Sequence, residues 1–298
     1  KLGAFVDAIA DLRRRDVVQT VMHIGNQNRT QIAMAPLVYR SLKSQGGVSE
    51  PDLKIEAGKL LAKEGFGPWS AVGGIMGTRG QLAVARREIR KALRGLAKTM
   101  FMNDALVNGA KFAASKLSFI PWVRRKQALL LAVEPLYGLA KGIPTDAPMN
   151  SVWWPVGEVP RSEQDNPDQS HCGLLFCVPF FPADGELIMK AMEHTEKVFR
   201  KYNFVPYITL NMADSKSIEC VINMAFDRNH PSQIAAAHAC NDELTSDFIK
   251  QGLMPYRVGV QSMDLVVKES DPFWRTVRDL KKVLDPNHII SPGRYNLV

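Results

Sequence analysis

Residues 173–181 read GLLFCVPFF, a near-continuous apolar run with no charge in it. A short run of this kind is a buried strand, and a buried strand needs strand neighbours and apolar cover. The sequence on its C-terminal side supplies both. ADGELIMKAMEHTEKVFRKY (183–202) predicts a helix with Asp184 placed as its N-cap, and FVPYITLNMADSKSIECVINMAFDR (204–228) predicts a strand pair or a strand and helix. SQIAAAHACNDELTSDFIKQG (232–252) reads as a helix ended by Gly252, MPYRVGVQ (254–261) as a strand, and DPFWRTVRDLKKVL (271–284) as the last helix.

The N-terminal half repeats the alternation. LGAFVDAIADLRRR (2–15) places Phe5, Ile9 and Leu12 on one helical face, and DVVQTVMHIGN (16–26) reads as a strand through Val18, Val21 and Ile24. A helix is expected from Gln31 to Ser44 before a Gly-Gly turn, another over PDLKIEAGKLLAKEG, and a compact strand over GPWSAVGGIMGT. ALVNGAKFAASKLSFIPW (105–122) gives no decisive pattern. Residues 141–169, rich in proline, tryptophan and acidic residues, read as a long irregular loop in which Trp153 and Trp154 argue against disorder. Strands alternate with long helices and no G-x-G-x-x-G turn occurs. The expected fold class is therefore α+β, a sheet with helices on one face, rather than a doubly wound dinucleotide-binding fold.

Composition narrows the function classes. The net charge is +8, and its densest source is a helix expected from Gly80 to Lys98, where Arg86, Arg87, Arg90, Arg94 and Lys98 alternate with Val84, Ile89, Leu93 and Leu96. This reads as a solvated basic face, because nucleic-acid binding calls for interleaved aromatics. No apolar run reaches membrane-spanning length, and the start lacks signal-peptide order, so a soluble cytoplasmic or periplasmic protein is expected. The chain starts without methionine, from which a fragment of a longer protein is expected. Cys172, Cys177, Cys220 and Cys240 form no C-x-x-C pair and no zinc spacing, and read as buried free thiols with no metal. Asn28-Arg29-Thr30 matches a glycosylation sequon of a kind that arises by chance.

Three places carry candidate chemistry. VGGIMGTRG lacks the lysine and hydroxyl of a phosphate loop, so its glycines read as close packing. His171 beside Cys172 has no orienting carboxylate in the sequence. Tyr256-Arg257 and Arg294 hold the most promise. On a strand, Tyr256 and Arg257 point to opposite faces, and an inward arginine has to meet an anion. In DPNHIISPGRYNLV, Asp285-Pro286-Asn287 stops the last helix and Ser291-Pro292-Gly293 makes a second turn that aims Arg294.

YRVGVQSMD followed by a helix and DPNHIISPGR resembles the flavoprotein family of vanillyl-alcohol oxidase and 4-cresol dehydrogenase (p-cresol methylhydroxylase). WSAVGGIMGT, GIPT with Trp154 beyond it, GLLFCVPF and FDRNHP fall in the family's order. The resemblance implies a mainly antiparallel cap domain over residues 1–245. Residues 246–298 would then return to an FAD-binding domain that this chain lacks. It implies FAD as cofactor and oxidation of a para-substituted phenol or aromatic alcohol, with hydride passing to flavin and a quinone methide left behind. Tyr256 and Arg294 match family positions at the phenolic oxygen, and Arg257 one beside the flavin's pyrimidine edge. Asn287, Arg294 and His171 are cofactor-binding candidates, and Trp154 and Phe176 line the substrate pocket. The positions at which family members attach FAD covalently fall at Val152 and Leu174, so non-covalent FAD is expected, with His171 the nearby linkage candidate. Asp146, Glu158 and Glu219 are candidates for the base. Pro155 to Gln169 is expected to be an insertion over the site. The missing FAD domain or chain, a cytochrome acceptor and a second copy of the chain are the implied partners. Two other readings stay open: an FAD-linked hydroxy-acid dehydrogenase, and a cofactor-free α+β binding module.

Overall fold

A computed structural model of the chain describes residues 1–64, 66–116, 121–158 and 166–296. The described elements run α1 (Leu2–Arg14), β1 (Met22–Asn26), α2 (Gln27–Gln45), α3 (Glu50–Glu64), β2 (Trp69–Val72), α4 (Arg79–Ala92), α5 (Asp104–Lys116) and α6 (Pro121–Ala140). There follow α7 (Asn150–Trp153), β3 (Cys172–Cys177), β4 (Phe180–Pro182), α8 (Gly185–Lys201), β5 (Tyr207–Met212), β6 (Ser217–Asp227), α9 (Pro231–Lys250), α10 (Met263–Val266) and α11 (Pro272–Leu284). All strand pairings are antiparallel, in the order β2-β1-β5-β6-β3 with β4 also on β6, so the α+β class holds.

Strict alternation divides the two faces of this sheet. In β6, Ile218, Cys220, Ile222, Met224 and Phe226 point into the largest core, joined by Ile208, Leu210 and Met212 of β5 and Ile24 of β1. Helices α1, α8 and α9 cover that face through Val6, Ile9 and Leu12, Ile188 and Phe199, and Leu244 and Phe248. Asp184 caps α8 as expected, accepting from Leu187 N–H at 2.8 Å. α1 and α8 meet at a pair of glycines. A Cβ at Gly185 would come within 2.3 Å of the Gly3 carbonyl oxygen, and Gly185 N–H donates to Asp7 Oδ1 at 2.8 Å. Because the obstacle is backbone, Gly185→Ala is expected to destabilise the fold by about 1–3 kcal/mol through overpacking. A chemical-denaturation midpoint equal to that of the wild type would refute the close approach.

Helices α2, α3 and α6 form a second cluster around Val38, Leu42, Leu53, Ala57, Leu61, Ala128 and Ala132. α2 leaves β1 directly and crosses the sheet's other face over β1 and β5. Helices therefore lie on both faces, not on one as the alternation implied, because α2 starts within one residue of the strand and has no loop in which to turn back. Two further expectations change. GLLFCVPFF is two strands, β3 and β4, both on β6. MPYRVGVQ is not a strand. Only Pro255 bridges Pro179, and the chain then turns through Val260–Ser262 into α10.

Residues 141–158 are not plain loop, since they carry α7 and helical turns at Ala147–Met149 and Trp154–Val156. The expected insertion from Pro155 to Gln169 falls in part, at residues 159–165, outside the described residues, as do residues 117–120 of the undecided ALVNGAKFAASKLSFIPW stretch. The basic helix α4 stops at Ala92, which leaves Arg94 and Lys98 beyond it. The glycines before it pack closely as expected: a Cβ on Gly73 would meet Met22 Cε at 2.8 Å, and Gly74 N–H donates to Thr20 Oγ1 at 2.6 Å. The four cysteines are buried free thiols. Among the described residues, no helix is long and apolar enough to cross a membrane.

Candidate functional site

The sheet face opposite the main core is covered in part by α2 over β1 and β5 and by residues 150–156 over β3 and β6, and its strand register defines what it presents. One row across it reads Val72, His23, Asn211, Glu219, Phe180, the next Ser70, Gly25, Thr209, Val221, and the one after that Tyr207, Asn223, Phe176. Phe176 and Phe180 are about 40% exposed here, a large apolar offering on a face that also carries polar groups. Asn223, between Phe176 and Tyr207, has a buried amide oxygen with no donor. Glu219 has no hydrogen-bond partner among the described residues and lies on this face. Burial raises the Tyr207 hydroxyl above the ordinary tyrosine range.

Tyr256 stands at the free edge of the same sheet. Phe180 N–H donates to Met254 O at 3.0 Å and Tyr256 N–H to Val178 O at 3.2 Å, so residues 254–256 line the β3–β4 connection. Arg257 does not point away from Tyr256 as strand geometry would require. Its Cζ lies 5.3 Å over the Tyr256 ring, because the backbone here is irregular. The neighbouring Val258 N–H donates to Tyr295 Oη at 2.7 Å. Tyr295 also packs with Trp274, Val258, Met263 and Val267 in a small apolar cluster.

That contact explains the terminal double turn. It docks Tyr295 on Val258, so Arg294 and Arg257 each flank one member of a single hydrogen-bonded pair. Both arginines are exposed, and among the described residues neither meets a carboxylate. Upstream, Asp285 accepts from Lys281 Nζ (2.5 Å), Ile289 N–H (3.0 Å) and Ile290 N–H (2.9 Å), while Lys281 also donates to Ile290 O (2.7 Å). These donors, Lys281 first, hold the Asp285 carboxyl at about 2. Asn287 is exposed within this turn.

The remaining candidates are held by other contacts, toward the Asp227 end of the face and against α2. His171 Nδ1 lies 2.7 Å from Glu158 Oε1, and its Nε2 3.9 Å from Asp227 Oδ2. Glu158 also accepts from Ser170 Oγ at 2.9 Å. His171 is thus a local tie, just ahead of β3 and three residues from Leu174. Burial and the Glu158 charge push the neighbouring Cys172 thiol up to about 11, which disfavours the thiolate that a nucleophile needs. Trp154 sits against Tyr39 (6.0 Å between rings) with Lys54 Nζ 5.0 Å over it, in the second cluster. Among the described residues no group of acidic, histidine and cysteine side chains could hold a metal. Sequence reasoning missed Tyr295, Asn223 and Arg29; an aromatic directly after the turn was the available signal for the first of these.

No protein-family profile matches the chain. It is 25% identical over 298 residues to a 1'-carboxy-chondrochloren decarboxylase of Chondromyces crocatus, covering 99% of this chain and 54% of the relative. It is 29% identical over 126 residues to the 4-cresol dehydrogenase [hydroxylating] flavoprotein subunit of Pseudomonas putida, covering 42% of this chain and 24% of the relative. The chain thus spans about half the length of the first of these relatives and less of the second. Among solved structures, a 4-ethylphenol oxidase from Gulosibacter chungangensis, in complex with isoeugenol, matches 99% of this chain and 51% of its own with a TM-score of 0.69 at 17% identity. The resemblance to the vanillyl-alcohol oxidase and 4-cresol dehydrogenase flavoproteins read from the sequence is borne out, and the fold is that of their cap domain.

Proposed function

We propose that this chain is the cap and C-terminal part of an FAD-dependent oxidoreductase that oxidises a para-substituted phenol or aromatic alcohol. The observation that supports the reading is the Val258–Tyr295 hydrogen bond, which ties the segment after Tyr256-Arg257 to the residue after Arg294, with both arginines lacking a counter-charge among the described residues. A phenol titrates near pH 10 in water, and lowering it by about three units takes roughly 4 kcal/mol of differential interaction. A tyrosine hydroxyl and desolvated guanidinium groups are donors of that strength. Tyr256 and Arg294 would hold the phenolate oxygen, and Arg257 would stabilise the reduced flavin.

FAD supplies a two-electron acceptor for hydride leaving the benzylic carbon. The chain's own surface is compatible with such a group, since it offers two exposed arginines without a counter-charge among the described residues and two exposed phenylalanines on one sheet face. Phe176 packs against the aromatic substrate there. Glu219, unbonded on the same face, is the best-placed base among this chain's carboxylates. Because the covalent-linkage positions are Val152 and Leu174, and His171 is held by Glu158, FAD binds non-covalently. Asn287, exposed in the terminal turn, would contribute to holding the cofactor.

The apolar stripe of α11 supports a returning segment. Phe273, Leu280, Val283 and Leu284 are between 58% and 79% exposed, at helical spacing, with Ile289 and Ile290 beyond them. This stripe docks on the FAD-binding domain. The cap ends in or just after α9, which runs through Thr245 to Lys250 with Leu253 as the last residue of the main core. A cytochrome acceptor and a homo-oligomer belong to the same reading. The decarboxylase relative, aligned over nearly the whole chain, favours as second reading a substrate that carries a carboxyl group.

The test is the visible spectrum of the full-length protein together with ligand binding. Oxidised-flavin bands released by acid precipitation are expected, and so is tighter binding of a phenol than of its methyl ether. Tyr256→Phe should narrow that difference. A colourless folded protein, or equal affinity for phenol and ether, would overturn the reading.

A further inference from the structure

A cation on the open sheet face has no counter-charge. Arg29 lies in the first turn of α2, where its backbone N–H donates to the N-cap Asn26 Oδ1 at 2.9 Å. Its side chain runs over Gly25: a Cβ built there would lie 3.6 Å from Arg29 Cγ and 3.8 Å from Arg29 Cβ. Ile24, next to Gly25, points into the main core, so Arg29 lies on the opposite, open face. Its Nη1 is buried with no hydrogen-bond acceptor, and among the described residues no carboxylate pairs with the guanidinium. Burial, with no opposing charge, holds its pKa below the ordinary arginine range. A guanidinium does not escape by losing its proton, and a buried charge left unpaired is strongly unfavourable. The residue as a whole keeps part of its surface exposed.

We propose that Arg29 anchors a carboxylate carried by the substrate at a position remote from its phenol. The inference rests on the phenol-oxidising reading and adds the substrate class to it. Gly25 on β1 and Tyr256 beyond the β3–β4 edge are separated by four strand spacings, roughly 19 Å across the sheet. A ligand that meets Tyr256 at one end and Arg29 at the other therefore stretches across the face and is longer than a single substituted ring. The row that joins these ends carries Thr209 and Val221, and one row along lie Phe176, which offers apolar length, and the unpaired Asn223 amide oxygen, an acceptor for a hydroxyl or amide N–H on the ligand. The substrate class is an elongated phenolic acid.

The test uses the full-length protein and a series of ω-(4-hydroxyphenyl)alkanoic acids of increasing chain length with their methyl esters. Calorimetric Kd and kcat/KM are measured for each. At the chain length that spans the face, the acid is expected to bind about tenfold or more tightly than its ester, as for a charge-assisted bidentate contact. Arg29→Gln should abolish this preference and Arg29→Lys retain part of it. Equal affinity of the wild type for acid and ester overturns the proposal and needs no variant to fold. A preference unchanged in Arg29→Gln overturns it too. So does a loss of stability in Arg29→Gln when the wild type shows no preference, because Arg29 then pairs with a carboxylate elsewhere in the protein. If the protein holds no flavin and oxidises no phenol, the functional reading fails, while the calorimetric comparison still tests Arg29.

Discussion

Arg294→Ala is expected to lower kcat/KM on a phenolic substrate by about 10²–10³-fold, the usual consequence of removing one donor from a developing oxyanion. The unfolding midpoint should stay near that of the wild type. The two expectations separate because docking and chemistry are divided between adjacent residues. Tyr295 makes the contacts that hold the terminal turn, with its hydroxyl on Val258 and its ring beside Trp274. The Arg294 side chain is exposed and contributes no such contact. Steady-state kinetics beside thermal unfolding of both proteins decide the matter. A large fall in midpoint with a proportionate loss of activity would make Arg294 a structural residue, and unchanged turnover would remove it from the site. Arg294→Lys restores charge but not the planar fork, so partial rescue in kcat/KM is the accompanying expectation.

The sheet and its covering helices were largely legible in the sequence because burial there follows strand and helix periods. β6 alternates without a break over Ser217–Asp227, and the Asp184 cap announced α8. The failures share a cause. MPYRVGVQ has the composition of a strand, yet proline at 255 contributes no N–H to a ladder and only one bridge forms. The pairing of Tyr256 with Arg257 was therefore not that of alternate strand faces. The side of the sheet on which α2 lies depended on the immediate junction after Asn26, where no loop intervenes. Arg294 was flagged by its double turn, but the tie to Val258 spans 37 residues and leaves no local signature. Asn223 and Arg29 show up only as missing partners, which a sequence does not display. Non-local satisfaction, rather than propensity, is what had to be seen in three dimensions.

Asp285→Ala is expected to reduce turnover almost as much as Arg294→Ala, although Asp285 lies nine positions upstream in the chain. Its carboxylate gathers the Ile289 and Ile290 amides and the Lys281 ammonium, and Lys281 in turn holds the Ile290 carbonyl. With the carboxylate gone, the described contacts left between Pro286 and Ile290 are the His288 N–H to Asp285 O bond (3.1 Å) and Lys281 on the Ile290 carbonyl, and the turn that delivers Arg294 loses most of its base. A displacement of about 1 Å at a reacting group costs on the order of 10²-fold, so a loose turn suffices. Since both substitutions act through one group, adding Arg294→Ala to Asp285→Ala should cost little more. Acid should mimic the mutation. The folded carboxyl titrates at about 2, against an ordinary 3.8, so its stabilisation is complete above about pH 4 and is lost as pH falls toward 2. Amide exchange at Ile289 and Ile290, corrected for intrinsic rates, reads this directly. Protection should fall across that window in the wild type and be absent at neutral pH in Asp285→Ala. Full protection in the variant would show that the turn stands without Asp285, and the route from this carboxylate to Arg294 would be broken.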